Sequence, residues 1–372
     1  MRRTLIIIVL LTLLPDVYIW LCHLDCAPVW LQLAWWLPAV SLLLTIWEFF
    51  ARHRHHVLSI RLFFTYLLCV SLPKLSFSVV APLAGWPVGL VAGGIVLLLS
   101  LDGFTLGTRR LKVRHVSAAW PTLPPAFDGY RVVHLSDIHA GSLGRHSRLL
   151  QRVAEAVNTE HADLIVCTGD HVNQSGSELT PYLYILGSLR SADGVYTVLG
   201  NHDFVGNVDE LCAHLHGMGW HVLRNCSVAL RRGDEHITLI GVDNISTWVF
   251  ARHGNLHEAL AHADEDSFQI LLTHDPAHWC AEVAGVTHID LTLSGHTHGG
   301  QLRIGHWSPA KRFARHWWGW YHEGAQRLYV SAGISGAFPF RLGAWPEVTV
   351  ITIKRDTQNS TNNELCGRTR NI

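Results

Sequence analysis

Residues 1 to 100 hold only nine of the chain's 58 Asp, Glu, Lys and Arg residues, and this constrains folding more than any other feature of the 372-residue sequence. Crossing a bilayer takes a run of ~20 apolar residues. Four such runs are legible, at 4–22, 28–47, 62–83 and 85–106. A cleaved signal peptide would account for the first alone. Basic residues gather at Arg2 and Arg3, at Arg52, Arg54 and Arg61 between the second and third runs, and at Arg109, Arg110, Lys112 and Arg114 after the fourth. The two remaining connections carry none. The positive-inside rule then places both ends of a four-helix transmembrane domain, and everything after it, in the cytoplasm. The predicted organisation is a membrane domain at 1–108, a proline-rich linker at 109–129, a folded domain at 130–355 and a disordered polar tail at 356–372.

Two charges lie within these runs. Asp16 and Lys74 each stand twelve residues from the cytoplasmic start of their helix, which puts both ~18 Å deep at ~1.5 Å per residue. A lone charge at that depth is costly. Either the two pair, or Lys74 snorkels and Asp16 marks a shortened first helix. The eight cysteines (22, 26, 69, 167, 212, 226, 280 and 366) show no spacing of a disulfide framework or a zinc knuckle, although Cys22 and Cys26 are close enough to pair on an oxidising outer face. Formal net charge is zero, so no basic nucleic-acid footprint is evident and no nucleic-acid partner is expected.

From Arg131 the pattern alternates short β-branched runs with helical spacing, which argues an α/β layer protein, with a hairpin-like stretch at 222–243. Five of the strands end in polar groups able to hold a metal: Ser136-Asp137-Ile138-His139, Gly169-Asp170, Gly200-Asn201-His202-Asp203, Thr273-His274-Asp275 and Gly295-His296-Thr297-His298. Ligands of open α/β sheets collect beyond the carboxyl ends of strands, so these five loops can converge on one site. Seven candidate donors, Asp137, His139, Asp170, Asn201, His274, His296 and His298, are too many for one tetrahedral ion and suit two ions if a carboxylate bridges. The set lacks cysteine and accepts Mn, Fe, Zn or Mg. Paired cations ~3.5–4 Å apart clamp the attacking and leaving oxygens of an in-line displacement at phosphorus.

The ordered set Asp-x-His, Gly-Asp, Gly-Asn-His-Asp, His and Gly-His-x-His resembles the calcineurin-like metallophosphoesterase superfamily, and the following Gly-Gly-Gln-Leu-Arg resembles its membrane-associated bacterial branch; the match runs from about Tyr130 to Lys354. The resemblance implies a four-layer α/β/β/α sandwich. It implies that Asp137, His139 and His298 hold one ion, that Asp170 bridges, and that Asn201, His274 and His296 hold the other. His202 would contact the phosphate and protonate the leaving oxygen, and a hydroxide between the ions would be the nucleophile. Asp203 is expected to orient the His202 ring, and Asn173 to shape the turn after Asp170. His171, beside the bridging aspartate, is expected to point away from the ions. His134 is read as structural, His214, His216 and His278 as surface residues, and Arg341 is left out of the catalytic set.

Residues 306–324, immediately beyond the last cluster, mix tryptophan and tyrosine with Lys311, Arg312 and Arg315, the composition of a bilayer interface. They are expected to form either a lid that dips into the inner leaflet or a flap packed on the sheet. The expected function is a phosphoesterase of the bacterial inner membrane, cleaving a phosphodiester or pyrophosphate bond, with a phosphorylated lipid or a small phosphodiester as substrate. The alternatives are a nucleotide or nucleic-acid phosphodiesterase on the same fold and a non-catalytic membrane sensor.

Overall fold

The computed structural model describes residues 2–51, 57–144, 148–245 and 251–356. Arg52, Arg54, Cys366 and the polar tail beyond residue 356 lie outside the described residues. The chain forms two compact units, Met1–Gly107 with Phe338–Leu342, and Thr108–Ala337 with Gly343–Ile372.

The first unit comprises α1 (Arg2–His23), α2 (Val29–Ala51), α3 (Val57–Tyr66), a π-helical turn at Leu67–Ser71, α4 (Leu72–Ala84) and α5 (Trp86–Phe104). Helices thus stand at all four expected places. Among the described residues, however, only Arg61–Ala84 and Trp86–Arg109 have the length and composition of a span, and Val29–Leu44 is a shorter apolar helix. Close packing of α4 on α5 depends on glycine. A Cβ on Gly89 would lie 2.7 Å from that of Ala81, and one on Gly93 3.0 Å from the Pro73 carbonyl, the small-residue contact that lets apolar helices approach. Asp16 and Lys74 do pair: Nζ lies 2.5 Å from Oδ1 and 3.9 Å from the centre of the Trp35 ring. Cys22 and Cys26 are exposed free thiols.

The second unit is built from β1 (Lys112–Trp120), β2 (Tyr130–Leu135), α6 (Arg148–Thr159), β3 (Leu164–Cys167), α7 (Leu183–Leu186), β4 (Val195–Thr197), α8 (Val208–Gly217), β5 (Trp220–Val222), β6 (Cys226–Arg232), β7 (Glu235–Gly241), α9 (Leu256–Leu260), β8 (Phe268–Leu272), β9 (Leu291–Ser294), β10 (Gly319–Glu323), β11 (Gln326–Val330) and β12 (Glu347–Arg355). Two mixed six-stranded sheets result, ordered β1-β12-β2-β3-β4-β5 and β10-β11-β9-β8-β7-β6. One apolar core, with Val132, Val166, Ile270 and Leu293, lies between the sheets. A second packs α6 and α8 on the first sheet through Leu150, Val153, Leu211 and Leu215. A third covers the second sheet with α9 and Trp279. These are the expected four layers.

Local chemistry explains the pieces. Leu150, Val153, Ala154 and Val157 recur at helical spacing and are the buried residues of α6. Asn207 caps α8 by accepting from the amides of Asp209 and Glu210. Strands β3 and β8 are buried along their whole length, as central parallel strands are.

The expected linker at 109–129 is corrected. Residues 112–120 form β1, an edge strand paired in parallel with β12 from Lys112↔Glu347 to Trp120↔Arg355. Its exposed charges read as a juxtamembrane tail, and its partner lies more than two hundred residues away, beyond the reach of local pattern.

Candidate metal centre

All five polar clusters sit at the carboxyl ends of β2, β3, β4, β8 and β9, three strands from one sheet and two from the other. Backbone conformation marks them out. Among the described residues eight non-glycine positions have positive φ, and five are candidate ligands: Asp137 (53°), His139 (46°), Asp170 (54°), His296 (69°) and His298 (54°). Such conformations cost of order 1–3 kcal/mol each and gather at functional sites. Gly295 is required where the sheets meet, because a Cβ there would run into the side chains of Ser136 and Asp137.

The loops bring donor atoms into three overlapping groups, each within 4.8 Å: Asp137, His139 and His298; His139, Asp170 and His202; Asp170, His274 and His296. Oδ2 of Asp170 lies 3.4 Å from His139 Nε2 and 3.2 Å from His274 Nε2, so this carboxylate joins the groups. Oδ1 of Asp137 is 3.6 Å from His298 Nδ1. The His296 and His274 ring nitrogens approach to 3.2 Å.

Tautomers follow from the partners. His139 Nδ1 is 2.8 Å from Oδ1 of Asn173, whose own amide nitrogen donates to Ser142. His274 Nδ1 lies 2.7 Å from the carbonyl of Thr168, and His202 Nδ1 3.0 Å from the carbonyl of Asn173. Each partner oxygen accepts, so each Nδ1 carries a proton and each Nε2 is left to face the site, where it holds either a second proton or a cation, as metal-ligating imidazoles do. Nε2 of His139 and Oδ1 of Asn201 are buried without a hydrogen-bond partner, a cost that a bound cation removes. Burial alone would lower the His274 pKa, but the adjoining Asp170 carboxylate overrides it and pushes it up to about 10. Burial likewise opposes charge on Asp170, yet His274 and His202 hold it well below the carboxylate range. The donor set therefore fits two divalent cations, whose charge would replace those protons.

One expectation about the site is corrected. Asp203 does not hold the His202 ring. Its Oδ1 accepts from the amides of His171 (2.8 Å) and Val172 (3.2 Å), and its Oδ2 accepts from the Gly200 amide (2.9 Å) and faces His171 Nδ1 (2.9 Å). The Asn173 carbonyl orients His202, while the His202 amide donates to Asp170 Oδ1 at 2.9 Å. His171 points away from the donor groups, as expected, with Nε2 2.7 Å from Thr197 Oγ1. His134 is buried, bonds Thr168 through Nε2 and is pushed down to about 3 by burial. His216 is exposed and His214 half-buried, but His278 is buried against Thr273 rather than on the surface. Arg341 is buried and belongs to the first unit. Sequence reasoning missed the double role of Asn173, because a backbone carbonyl carries no residue signature.

In the aromatic insert Trp317 is buried, at 7 % exposure, and its carbonyl accepts from Thr297 Oγ1 at 2.6 Å. The exposed apolar side chains of this region are instead Ile304, Trp307 and Phe313. Residues 319–323, expected within the insert, form β10 and pair with β11.

Strand-end loops from two facing sheets that share one carboxylate between two donor groups define the class of dinuclear metallophosphoesterases. Residues 130–300 match the calcineurin-like phosphoesterase family, so the chain carries a calcineurin-like phosphoesterase domain. It is 32% identical to a transmembrane protein with metallophosphoesterase domain of Bos taurus, over 70% of this chain and 61% of that one. The chain thus spans about three fifths of that relative's length. It is 29% identical to an uncharacterized metallophosphoesterase of Aquifex aeolicus, over 67% of this chain and 94% of the other. Among solved structures, phosphopantetheinyl hydrolase of Mycobacterium tuberculosis aligns with a TM-score of 0.38 and 15% identity, over 63% of this chain and all of the other.

Proposed function

We propose that the chain is a membrane-anchored phosphoesterase that uses two divalent cations to hydrolyse a phosphodiester or pyrophosphate bond, foremost in a lipid substrate. The observation that carries this reading is the Asp170 carboxylate, set between His139 and His274 and touching both donor groups. When bound, two cations lower the pKa of the attacking water and neutralise charge on the phosphoryl oxygens. Asp137, His139 and His298 would hold one, and Asn201, His274 and His296 the other, with Asp170 between them. The chain's own part is proton handling and orientation. His202, its Nδ1 proton fixed on the Asn173 carbonyl, would take a second proton at Nε2 and pass it to the leaving oxygen. The apolar stretches Arg61–Ala84 and Trp86–Arg109 support a membrane anchor. A multi-pass topology with the catalytic unit on the cytoplasmic side follows from the distribution of Lys and Arg. Exposed Ile304, Trp307 and Phe313 beside Lys311 and Arg312 suit contact with a bilayer holding the substrate.

The test is manganese-supplemented hydrolysis of bis-p-nitrophenyl phosphate by the full chain beside His202→Ala and Asp170→Asn. Turnover by the parent and its loss in both variants is the expected result. Silence of the parent with Mn, Fe, Zn and Mg, while two ions bind, would favour the sensor.

A further inference from the structure

A cleft of about 930 Å³ opens on the second unit, lined among others by Arg114, Lys311, Arg315, Trp318, Trp320 and Tyr329. That is the size of a small-molecule site. Strand register places it at the same end of the sandwich as the cations' donors. Arg114 on β1 pairs with Thr349, which pairs with His134, three residues before Asp137. Gly319, the first residue of β10, pairs with Val330, which pairs with Ser294, two residues before His296. Trp318 Cδ1 lies 3.6 Å from the place of a Cβ on Gly299, next to His298.

The charge in this cleft is unbalanced. The Trp318 ring is flanked by the guanidiniums of Arg114 (4.4 Å) and Arg303 (3.9 Å). Its Nε1 donates to Glu347 at 3.0 Å. Glu347, at 3 % exposure, also accepts from Arg114 Nε (3.2 Å), the Tyr329 hydroxyl (3.1 Å) and the Thr349 hydroxyl (2.9 Å). One carboxylate is thus fully engaged against two guanidiniums. Lys311 and Arg315 add two exposed cations, and no carboxylate stands among the described residues lining the cleft. Burial, and then the Arg114 charge, push the Arg303 guanidinium below its usual pKa, which agrees with an excess of positive charge. Indole and phenol faces beside uncompensated cations are complementary to a flat or pyranose ring that carries an anion.

We propose that this cleft binds a ring-bearing phosphate, with the ring against Trp320 and the phosphate on Lys311 and Arg315. As a statement about substrate it rests on the phosphoesterase reading: the cleft would hold the ring-phosphate half while the scissile bond lies at the cations. Nucleoside phosphates and sugar phosphates share this chemistry.

The test is calorimetric binding to the full chain in detergent, with chelator present and repeated on Asp170→Asn, so that the cation centre contributes nothing. The probes are adenosine monophosphate, glucose 1-phosphate and inorganic phosphate. The expected result is that one or both ring phosphates bind at least tenfold more tightly than inorganic phosphate, and which one does so identifies the ring. Their affinity should fall at least tenfold in Lys311→Ala/Arg315→Ala, and recover in Lys311→Arg/Arg315→Lys, with circular dichroism unchanged. No binding of either ring phosphate up to millimolar concentration, parity with inorganic phosphate, or indifference to the double alanine change would each overturn the proposal. Because the readout is binding without metal, a failure of hydrolysis is registered separately, in the bis-p-nitrophenyl phosphate assay.

Discussion

Replacing Asp203 with alanine should damage the fold far more than the chemistry. The carboxylate is 1 % exposed and engages three backbone amides and the His171 ring. Thr197 spends its hydroxyl proton on the Cys167 carbonyl at 3.0 Å, so its oxygen accepts from His171 Nε2 while Nδ1 donates to Asp203. Both ring nitrogens carry protons and His171 is a buried cation. Burial alone would lower its pKa, but the Asp203 charge holds it well above the usual value. Removing one partner of a buried ion pair costs about 3–5 kcal/mol, which for a domain of this size is on the order of 10 °C in Tm. Asp203→Ala/His171→Phe leaves no buried charge unpaired and should recover part of the loss, a coupling read from the double-mutant cycle. Thermal unfolding followed by tryptophan fluorescence gives Tm. With saturating Mn and below the transition, kcat on bis-p-nitrophenyl phosphate should change less than about tenfold. If Asp203 instead set the His202 tautomer, kcat would drop about 10²–10⁴-fold with Tm and metal content intact, and that outcome would refute the assignment.

Neutralising either Asp16 or Lys74 should lower the amount of folded protein in membranes more than exchanging the two, since exchange keeps the pair; equal loss in all three variants would show that the pair does not stabilise the helices. Asp243 is buried, with Oδ1 lacking a partner and Oδ2 2.9 Å from Arg224 Nε, and burial, only partly opposed by Arg224, raises its pKa to about 6. Because its folded pKa lies above the unfolded ~3.9, the folded state binds the extra proton between pH 4 and 6, so its contribution falls by about 2–3 kcal/mol as pH rises through that window. Urea unfolding at pH 4.5 and 7 should show this slope in the parent and not in Asp243→Asn; identical slopes would count against it. Trp317→Ala should destabilise by about 3–5 kcal/mol, because the side chain is core. Trp307→Ala/Phe313→Ala should lower turnover of a phospholipid in vesicles while sparing bis-p-nitrophenyl phosphate, and equal loss on both substrates would remove the bilayer contact from the proposal.

The sequence by itself determined the charge-poor helical unit, the α/β alternation and the strand-end clusters, because these rest on composition and on spacings of two, three or four residues. Asp137, His139, Asp170 and the Gly-His-x-His turn are legible for the same reason: each lies in a short run whose donors share one loop. Tertiary structure alone decided what distant segments do to one another. Glu347 meets Arg114 across 233 residues and Trp318 across 29, and β1 finds β12 at a comparable separation, so nothing in a local window announces either. Two neighbouring residues show the limit most plainly. His202 and Asp203 are adjacent in a Gly-Asn-His-Asp run and suggest a pair, yet the turn sends one ring toward the donor groups and the other side chain back to His171, because only the fold determines which buried donors each atom meets.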